Sequence, residues 1–72
     1  MLTIVSDNGT FKAEVSEIRN GCRALFFERI GHWRKISHTV YDLPFHAALD
    51  AAQYAVNQLR QFPYNRGLPD AA

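Results

Sequence analysis

The feature that most constrains the fold is one long amphipathic stretch, Phe45 to Phe62, which follows a series of shorter segments. Its larger apolar side chains recur at steps of three and four residues, a spacing that places them on one stripe of a helix. Alanines widen the stripe, so the helix can lie close to a flat surface. Since a lone helix of this length is marginal in water, the stretch predicts a helix packed on a sheet. The stripe consists of Phe45, Leu49, Ala52, Val56 and Leu59.

Three segments upstream of the helix have the character of β-strands: 10–19, 22–30 and 33–41. The first alternates apolar and polar side chains, the period of a half-buried strand. Asn20-Gly21 and Gly31-His32 separate the segments, and both pairs favour two-residue hairpin turns, which join antiparallel strands. The predicted fold is α+β, with three long antiparallel strands and one C-terminal helix packed on one face, in the order β-β-β-α. The short apolar run 2–6 is a candidate fourth strand at the N-terminal side.

The ends of the predicted helix are marked by residues that favour caps and breaks. Asp42 is placed to cap the helix, with Pro44 in the first turn, where its missing N–H costs nothing. Pro63 stops the helix after Phe62, and the residues beyond it have the composition of a tail. We therefore predict a single domain over residues 1–62 and a flexible C-terminal tail over 63–72.

The size and charge of the chain exclude several classes of function. Its 72 residues form one small domain, which buries only about 60% of the surface exposed by its unfolded chain. We therefore expect a surface site rather than a pocket for a small-molecule substrate. Eight Lys and Arg oppose seven Asp and Glu, so the net charge of +1 is far from a strongly basic footprint. No signal peptide or membrane-spanning run is recognisable, and the single cysteine, Cys22, suits a reducing compartment, so we expect a cytoplasmic protein without membrane contact.

The residues able to bind metals or perform nucleophilic catalysis are scattered. The three histidines and Cys22 lack the short paired spacing of a zinc site, which predicts no metal. Cys22 with His38 would make a nucleophile and a base, but no third group is placed to orient the base. A glycine-rich phosphate loop is also missing. The sequence therefore predicts a protein that is not an enzyme and has no cofactor.

The middle strand predicts an interaction surface, because Leu25, Phe26 and Phe27 place apolar groups on both faces of the sheet. With Asn20-Gly21 as the turn, Val15 faces Phe26 on the richer apolar side, which we assign to the helix. Leu25 and Phe27 then lie on the uncovered face.

The register of the second hairpin decides which residues accompany Leu25 and Phe27. With Gly31-His32 as the turn, Ile36 and Val40 join them, and arginines form the rim. A one-residue change in the loop would instead expose Trp33 and Tyr41 and send Ile36 and Val40 to the core. Leu25 and Phe27 stay on the uncovered face in both registers.

An apolar patch ringed by arginine is typical of an interaction surface. The sequence predicts a small non-catalytic module that binds another protein or a second copy of itself, in the manner of a regulator or inhibitor from a phage or mobile element. Alternatively, the N-terminal segment or the tail folds over the patch. The predicted partner-binding residues are Leu25, Phe27, Ile36, Arg23, Arg29 and Arg34.

The alternative function is nucleic-acid binding by the same sheet. Cations would contact phosphates, and Trp33 or Phe27 would stack on bases. The near-neutral net charge and three nearby glutamates, Glu14, Glu17 and Glu28, oppose this hypothesis. The residues predicted for this alternative are Arg23, Arg29, Arg34, Lys35 and Trp33.

The strand-strand-strand-helix order, with Glu17-Ile18-Arg19 and the alanine-rich helix, resembles that of plant AP2-type and integrase arm-binding domains. This resemblance is one of topology, and it implies no function here.

Overall fold

The computed structural model describes residues 1–59 of the chain. The predicted end of the helix at Phe62, the domain boundary at 62 and the tail 63–72 lie outside the described residues. The elements are β1 (Leu2–Val5), β2 (Phe11–Ile18), β3 (Gly21–Ile30), β4 (His32–Tyr41) and α1 (Phe45–Gln58).

The four strands form one open antiparallel sheet in the order β1-β2-β3-β4, so each strand lies beside its neighbour in the sequence. Short connections between successive strands lead to this arrangement because they leave no room for a crossover. α1 packs on one face of the sheet, against β1, β2 and β3. The predicted α+β fold is confirmed, including its short N-terminal fourth strand.

The first long hairpin differs from the prediction by two residues. Arg19 and Asn20 form the turn and Ile18 pairs with Gly21, so Val15 lies opposite Ala24 rather than Phe26. Side chains alternate with a period of two along a strand, so a slip of two residues leaves each on its predicted face. The assignment of faces is confirmed although the pairing was wrong.

Gly21 explains why the turn lies one residue earlier. Its φ is +145°, and a Cβ atom added there would overlap the backbone carbonyl oxygen of Tyr41. Gly21 is therefore needed where β3 passes close to the end of β4, not as a turn residue. No non-glycine residue in the described chain has a positive φ, so Asn20 does not adopt the predicted type I′ geometry.

The second long hairpin contains a β-bulge. Arg23 lies opposite Val40 and Leu25 opposite His38, in the predicted register. Beyond a shift between Phe26 and Phe27, the pairing moves by one residue, so Phe27 lies opposite Lys35. The extra residue in β4 is Ile36. A bulge of this kind exchanges the two faces over part of one strand.

The helix begins at Phe45, as predicted, but its N-terminus is not capped by a side chain. Pro44 is the N-cap residue, and its carbonyl oxygen accepts a hydrogen bond from the Ala48 N–H at 2.9 Å. The prediction that Asp42 caps the helix was wrong, because Asp42 lies two residues before the cap and is exposed.

The core lies between α1 and the sheet, and the predicted apolar stripe faces it. Phe45, Leu49 and Leu59 are partly buried and pack against the fully buried residues. Alanines at the contact let the helix approach the sheet closely. The buried apolar core residues are Phe11, Ala13, Val15, Cys22, Ala24, Phe26, Ala48, Ala52 and Val56.

Candidate interaction surface

The sheet has two faces with different roles. We call the side packed on α1 the covered face; its buried strand residues are Phe11, Ala13, Val15, Cys22, Ala24, Phe26 and Glu28. The other side is the open face, and no described helix or strand lies over it. On β2, β3 and β4 the open face consists of Lys12, Glu14, Ser16, Ile18, Arg23, Leu25, Phe27, Arg29, Trp33, Lys35, His38 and Val40.

Leu25 and Phe27 lie at the centre of the open face on β3. Both are half-buried, whereas Phe26 between them is only 4% exposed on the covered face. Glu14 lies opposite Leu25, and Lys12 lies opposite Phe27. The two apolar side chains are therefore partly sheltered by their neighbours within the sheet and remain in contact with solvent.

One end of the open face is a basic-aromatic cluster formed by Lys12, Phe27, Arg29, Trp33 and Lys35. The Lys12 Nζ lies 5.1 Å from the centre of the Phe27 ring and 4.8 Å from that of Trp33. Both distances allow a cation–π interaction. The same Nζ lies 3.3 Å from a Glu14 carboxylate oxygen, so the charge of Lys12 is compensated within the face.

The other end of the open face is aliphatic. Val40 is 58% exposed and Ile18 is 38% exposed, and both lie on the same side as Leu25. Arg23 separates them, because it pairs with Val40 on β4 and with Ser16 on β2. We call Ile18, Leu25 and Val40 the aliphatic patch.

Two of the predicted partner-binding residues do not lie on the open face. Arg34 pairs with Glu28 on the covered face, where its Nη2 lies 3.7 Å from Glu28 Oε1. Ile36, the extra residue of the bulge, is partly buried against the core. The placement of both residues was wrong because the bulge reverses the alternation of β4 between Ile36 and the turn.

The bulge combines parts of the two predicted registers. Trp33 lies on the open face, as the shifted register predicts, and Val40 lies there too, as the unshifted one predicts. Tyr41 packs against the core. The open-face positions of Leu25, Phe27, Arg23 and Arg29 are confirmed. Lys35 lies there too, although the unshifted register sets it opposite Glu28 on the other face; the roles of all these residues in binding stay predictions.

The glutamates that opposed nucleic-acid binding are mostly on the other face. Glu28 is 1% exposed, and neither of its carboxylate oxygens has a hydrogen-bond partner among the described residues. Glu17 pairs with Cys22, whose side chain is in the core, so Glu17 lies on the covered side. Only Glu14 of the three shares the open face. Alternation along β3 predicts that Glu28 lies on the same face as Phe26. No pattern in the sequence indicates that Glu28 is buried beside Arg34.

The candidate residues for metal binding or catalysis lie in different environments. Cys22 is 1% exposed, and its Sγ lies 3.6 Å from the carbonyl oxygen of Leu43. His38 is exposed on the open face. Within residues 1–59, no three His, Cys, Asp or Glu side chains are grouped to hold a metal ion.

A shallow polar pocket lies between the β1–β2 loop and the end of α1, but its polar groups are used within the loop. The Ser6 hydroxyl lies 2.6 Å from Asn8 Oδ1 and accepts a hydrogen bond from the Phe11 N–H at 3.1 Å. The Asp7 N–H donates to Asn57 Oδ1 at 2.9 Å. These contacts fasten the loop to the helix.

Comparison with known proteins does not assign the chain to a class. No family model, curated protein or solved structure matches it significantly. The topological resemblance to AP2-type and arm-binding domains therefore stays a resemblance of element order. The helix described within residues 1–59 is too short to cross a membrane.

Proposed function

We propose that this chain is a small non-catalytic protein-binding module that acts through the open face, as a regulator or inhibitor of a larger protein or as one subunit of a homodimer. The observation that carries the proposal is the position of Leu25 and Phe27. They lie at the centre of a sheet face that no described element covers, while the only described helix is fully used on the other face.

The composition of the open face supports this function. Protein interfaces are enriched in aromatic residues and arginine, and their strongest contacts cluster near the centre of the patch. Phe27 and Trp33 supply the aromatic groups, and Arg23 and Arg29 flank them on the same strand pair. The buried free thiol of Cys22 is consistent with work in a reducing, cytoplasmic compartment.

The proposal is tested by comparing two variants of the immobilised chain as baits. Leu25→Asp/Phe27→Asp places two charges at the centre of the open face. Tyr54→Asp is the matched control, because Tyr54 is a large exposed aromatic residue, 69% accessible, on α1. Stable retention of a defined protein, or self-association measured by sedimentation, is the readout.

We expect the wild type and Tyr54→Asp to retain the same partner and the double variant to lose it at least tenfold. Circular dichroism must show the helix intact in all three chains. If the double variant retains the partner as well as the control does, the open face is not the binding surface. If the double variant unfolds, Leu25 and Phe27 belong to the core and the proposal fails.

A second candidate function is nucleic-acid binding, and one observation favours it. Arg23, Arg29 and Lys35 share the open face with Trp33, while Glu17 and Glu28 lie on the covered side. The local charge of the face is thus more positive than the whole chain suggests. Arg34 does not belong to this alternative site, because it is paired with Glu28.

Salt dependence separates the two candidates. Binding through phosphates weakens steeply between about 50 and 200 mM salt, because counterions are released. A fluorescent oligothymidine and a short DNA duplex are the probes. Absence of binding at the lower salt concentration eliminates the nucleic-acid candidate; tight, salt-sensitive binding that is lost in Arg29→Gln/Lys35→Gln would replace the protein-binding proposal.

A further inference from the structure

The open face carries an uncompensated positive charge. Arg23, Arg29 and Lys35 are exposed, and no ion pair among residues 1–59 involves them. The remaining cation on this part of the sheet, Lys12, is compensated by Glu14 at 3.3 Å. The three free cations therefore leave the face with a formal excess of three positive charges.

The free cations lie at both ends of the face. Arg29 and Lys35 belong to the basic-aromatic cluster near the Gly31 turn, and Arg23 lies toward the other hairpin. A twofold interface brings the same patch of both subunits together. A twofold pairing that buries Leu25 and Phe27 of both copies would bring the uncompensated cations of both copies to one interface, and like charges brought together at an interface weaken association.

We infer that the open face binds an acidic surface with an apolar centre on a different protein, and that it does not bind a second copy of this chain. The inference rests on the proposed function and specifies the partner. Carboxylates of the partner would meet Arg23, Arg29 and Lys35, and apolar side chains would cover Leu25 and Phe27. Charge complementarity would also accelerate the encounter.

The make-up of the face favours a protein over a nucleic acid. The aliphatic patch of Ile18, Leu25 and Val40 offers no ring on which a base can stack. At the other end, Lys12 Nζ already lies over the rings of both Phe27 and Trp33. The rings that would serve as a stacking platform are thus partly occupied by a cation, which leaves less of each ring free to stack on a base.

A charge-reversed copy of the same chain provides the probe. Arg23→Glu/Arg29→Glu/Lys35→Glu turns the face acidic and keeps Leu25 and Phe27 at its centre. All three changed positions are exposed, so the fold should tolerate them. Trp33→Phe in the probe leaves the wild-type Trp33 as the only tryptophan in a mixture. Sedimentation equilibrium is measured for each chain alone and for the mixture.

We expect the mixture to associate at least tenfold more tightly than the wild type associates with itself, and the association to weaken as salt is added. The matched control is a probe that also carries Leu25→Thr/Phe27→Thr. This control keeps the acidic charge and lacks the apolar centre, so we expect it to bind at least tenfold more weakly. Equal binding of the two probes would show that the association depends on charge attraction alone, and this result would overturn the inference.

A neutral variant, Arg23→Gln/Arg29→Gln/Lys35→Gln, gives an independent measurement if the reversed probe folds poorly. Removal of the repulsion should let this variant associate with itself more tightly than the wild type does. Unchanged self-association would contradict the inference.

The outcomes also separate this inference from the proposed function. If the wild type dimerises as tightly as the mixture and Leu25→Asp/Phe27→Asp abolishes the dimer, the protein-binding function stands and the acidic partner is excluded. If the wild type binds oligothymidine and ignores the acidic probe, both are overturned. A mixture that fails to associate overturns the inference alone.

Discussion

The covered and open faces of this sheet are built from neighbouring residues of the same strand. Phe26 is 4% exposed in the core, whereas Phe27, the next residue, is half-buried on the open face, 5.1 Å from the Lys12 ammonium. The residue types are identical, so hydrophobicity does not distinguish their roles. The position of α1 does, because a single helix can shelter only one side of the sheet.

The distribution of charged and aliphatic side chains also does not follow from hydrophobicity. The covered face buries a carboxylate, Glu28, while the open face exposes the aliphatic side chains of Val40 and Ile18. If the burial pattern served stability alone, the carboxylate would be exposed and the aliphatic side chains would be buried. The molecule thus combines one face that holds the domain together with one that leaves apolar side chains exposed to solvent.

The largest expected difference between the faces is in stability. Phe26→Ala should lower the free energy of unfolding by about 3–5 kcal/mol, since it leaves a cavity in the core. This is as large as the whole stability of many domains of this size. Phe27→Ala should cost about 1 kcal/mol, the usual cost of a substitution outside the core. Urea titration followed by circular dichroism measures both; equal losses would erase the distinction between the faces.

The second prediction compares Gly21, where β3 passes close to the end of β4, with Gly31, which lies in an open turn. Gly21→Ala should cost about 2–4 kcal/mol, because the new Cβ meets the Tyr41 carbonyl in addition to the strain of a positive φ. Gly31→Ala should cost about 1 kcal/mol, since φ is +83° but nothing lies within 4 Å of the new atom. Thermal unfolding of the two variants is the measurement. A smaller loss for Gly21→Ala than for Gly31→Ala would contradict the close approach.

Substitutions in the ion pair between exposed Arg34 and buried Glu28 test whether Glu28 stabilises the covered face. Glu28→Met removes a carboxylate whose oxygens lack hydrogen bonds among the described residues, so we expect unfolding free energy to stay constant or rise by about 1–2 kcal/mol. Arg34→Met should instead lower it by about 1–3 kcal/mol, because the carboxylate loses its charge partner. Urea midpoints decide between them. A strong loss in Glu28→Met would show that the carboxylate stabilises the core.

The smallest expected effect is a pH dependence at the edge of the core. Burial raises the pKa of the Tyr41 phenol above its ordinary value of 10.0. The unfolded chain therefore releases this proton at lower pH than the folded chain, so the contribution is complete below pH 10.0 and is lost as pH rises through the folded pKa. Tyr41→Phe should flatten the alkaline decline of the melting temperature. An identical decline in the variant would contradict the assignment.

The fold and the centre of the candidate site could be predicted from the sequence, because both depend on periodicity. The stripe of α1 follows from steps of three and four, and the positions of Leu25 and Phe27 follow from alternation with a period of two. A pairing error of two residues at the first turn changed neither result. Periodic features thus survive mistakes in local detail.

The part of the candidate site on β4 could not be predicted, because the bulge at Ile36 breaks the period. Ile36 packs against the core, and Trp33, three residues earlier, lies over Lys12 on the open face. Strict alternation would also place Ile36 and Trp33 on opposite faces. It would, however, put Val40 on the same face as Ile36, whereas Val40 lies on the open face. Packing against the core decides the position of the extra residue, and the sequence of one strand does not reveal that packing.

The most direct test of the central claim uses Trp33 as a reporter on the open face. It is the only tryptophan in the chain, so acrylamide quenching of its fluorescence measures access to this surface without a label. We predict that quenching falls at least twofold when the wild-type chain binds its protein partner or the tryptophan-free acidic probe. A complex that forms while Trp33 remains as accessible as in the free chain would show that binding occurs elsewhere.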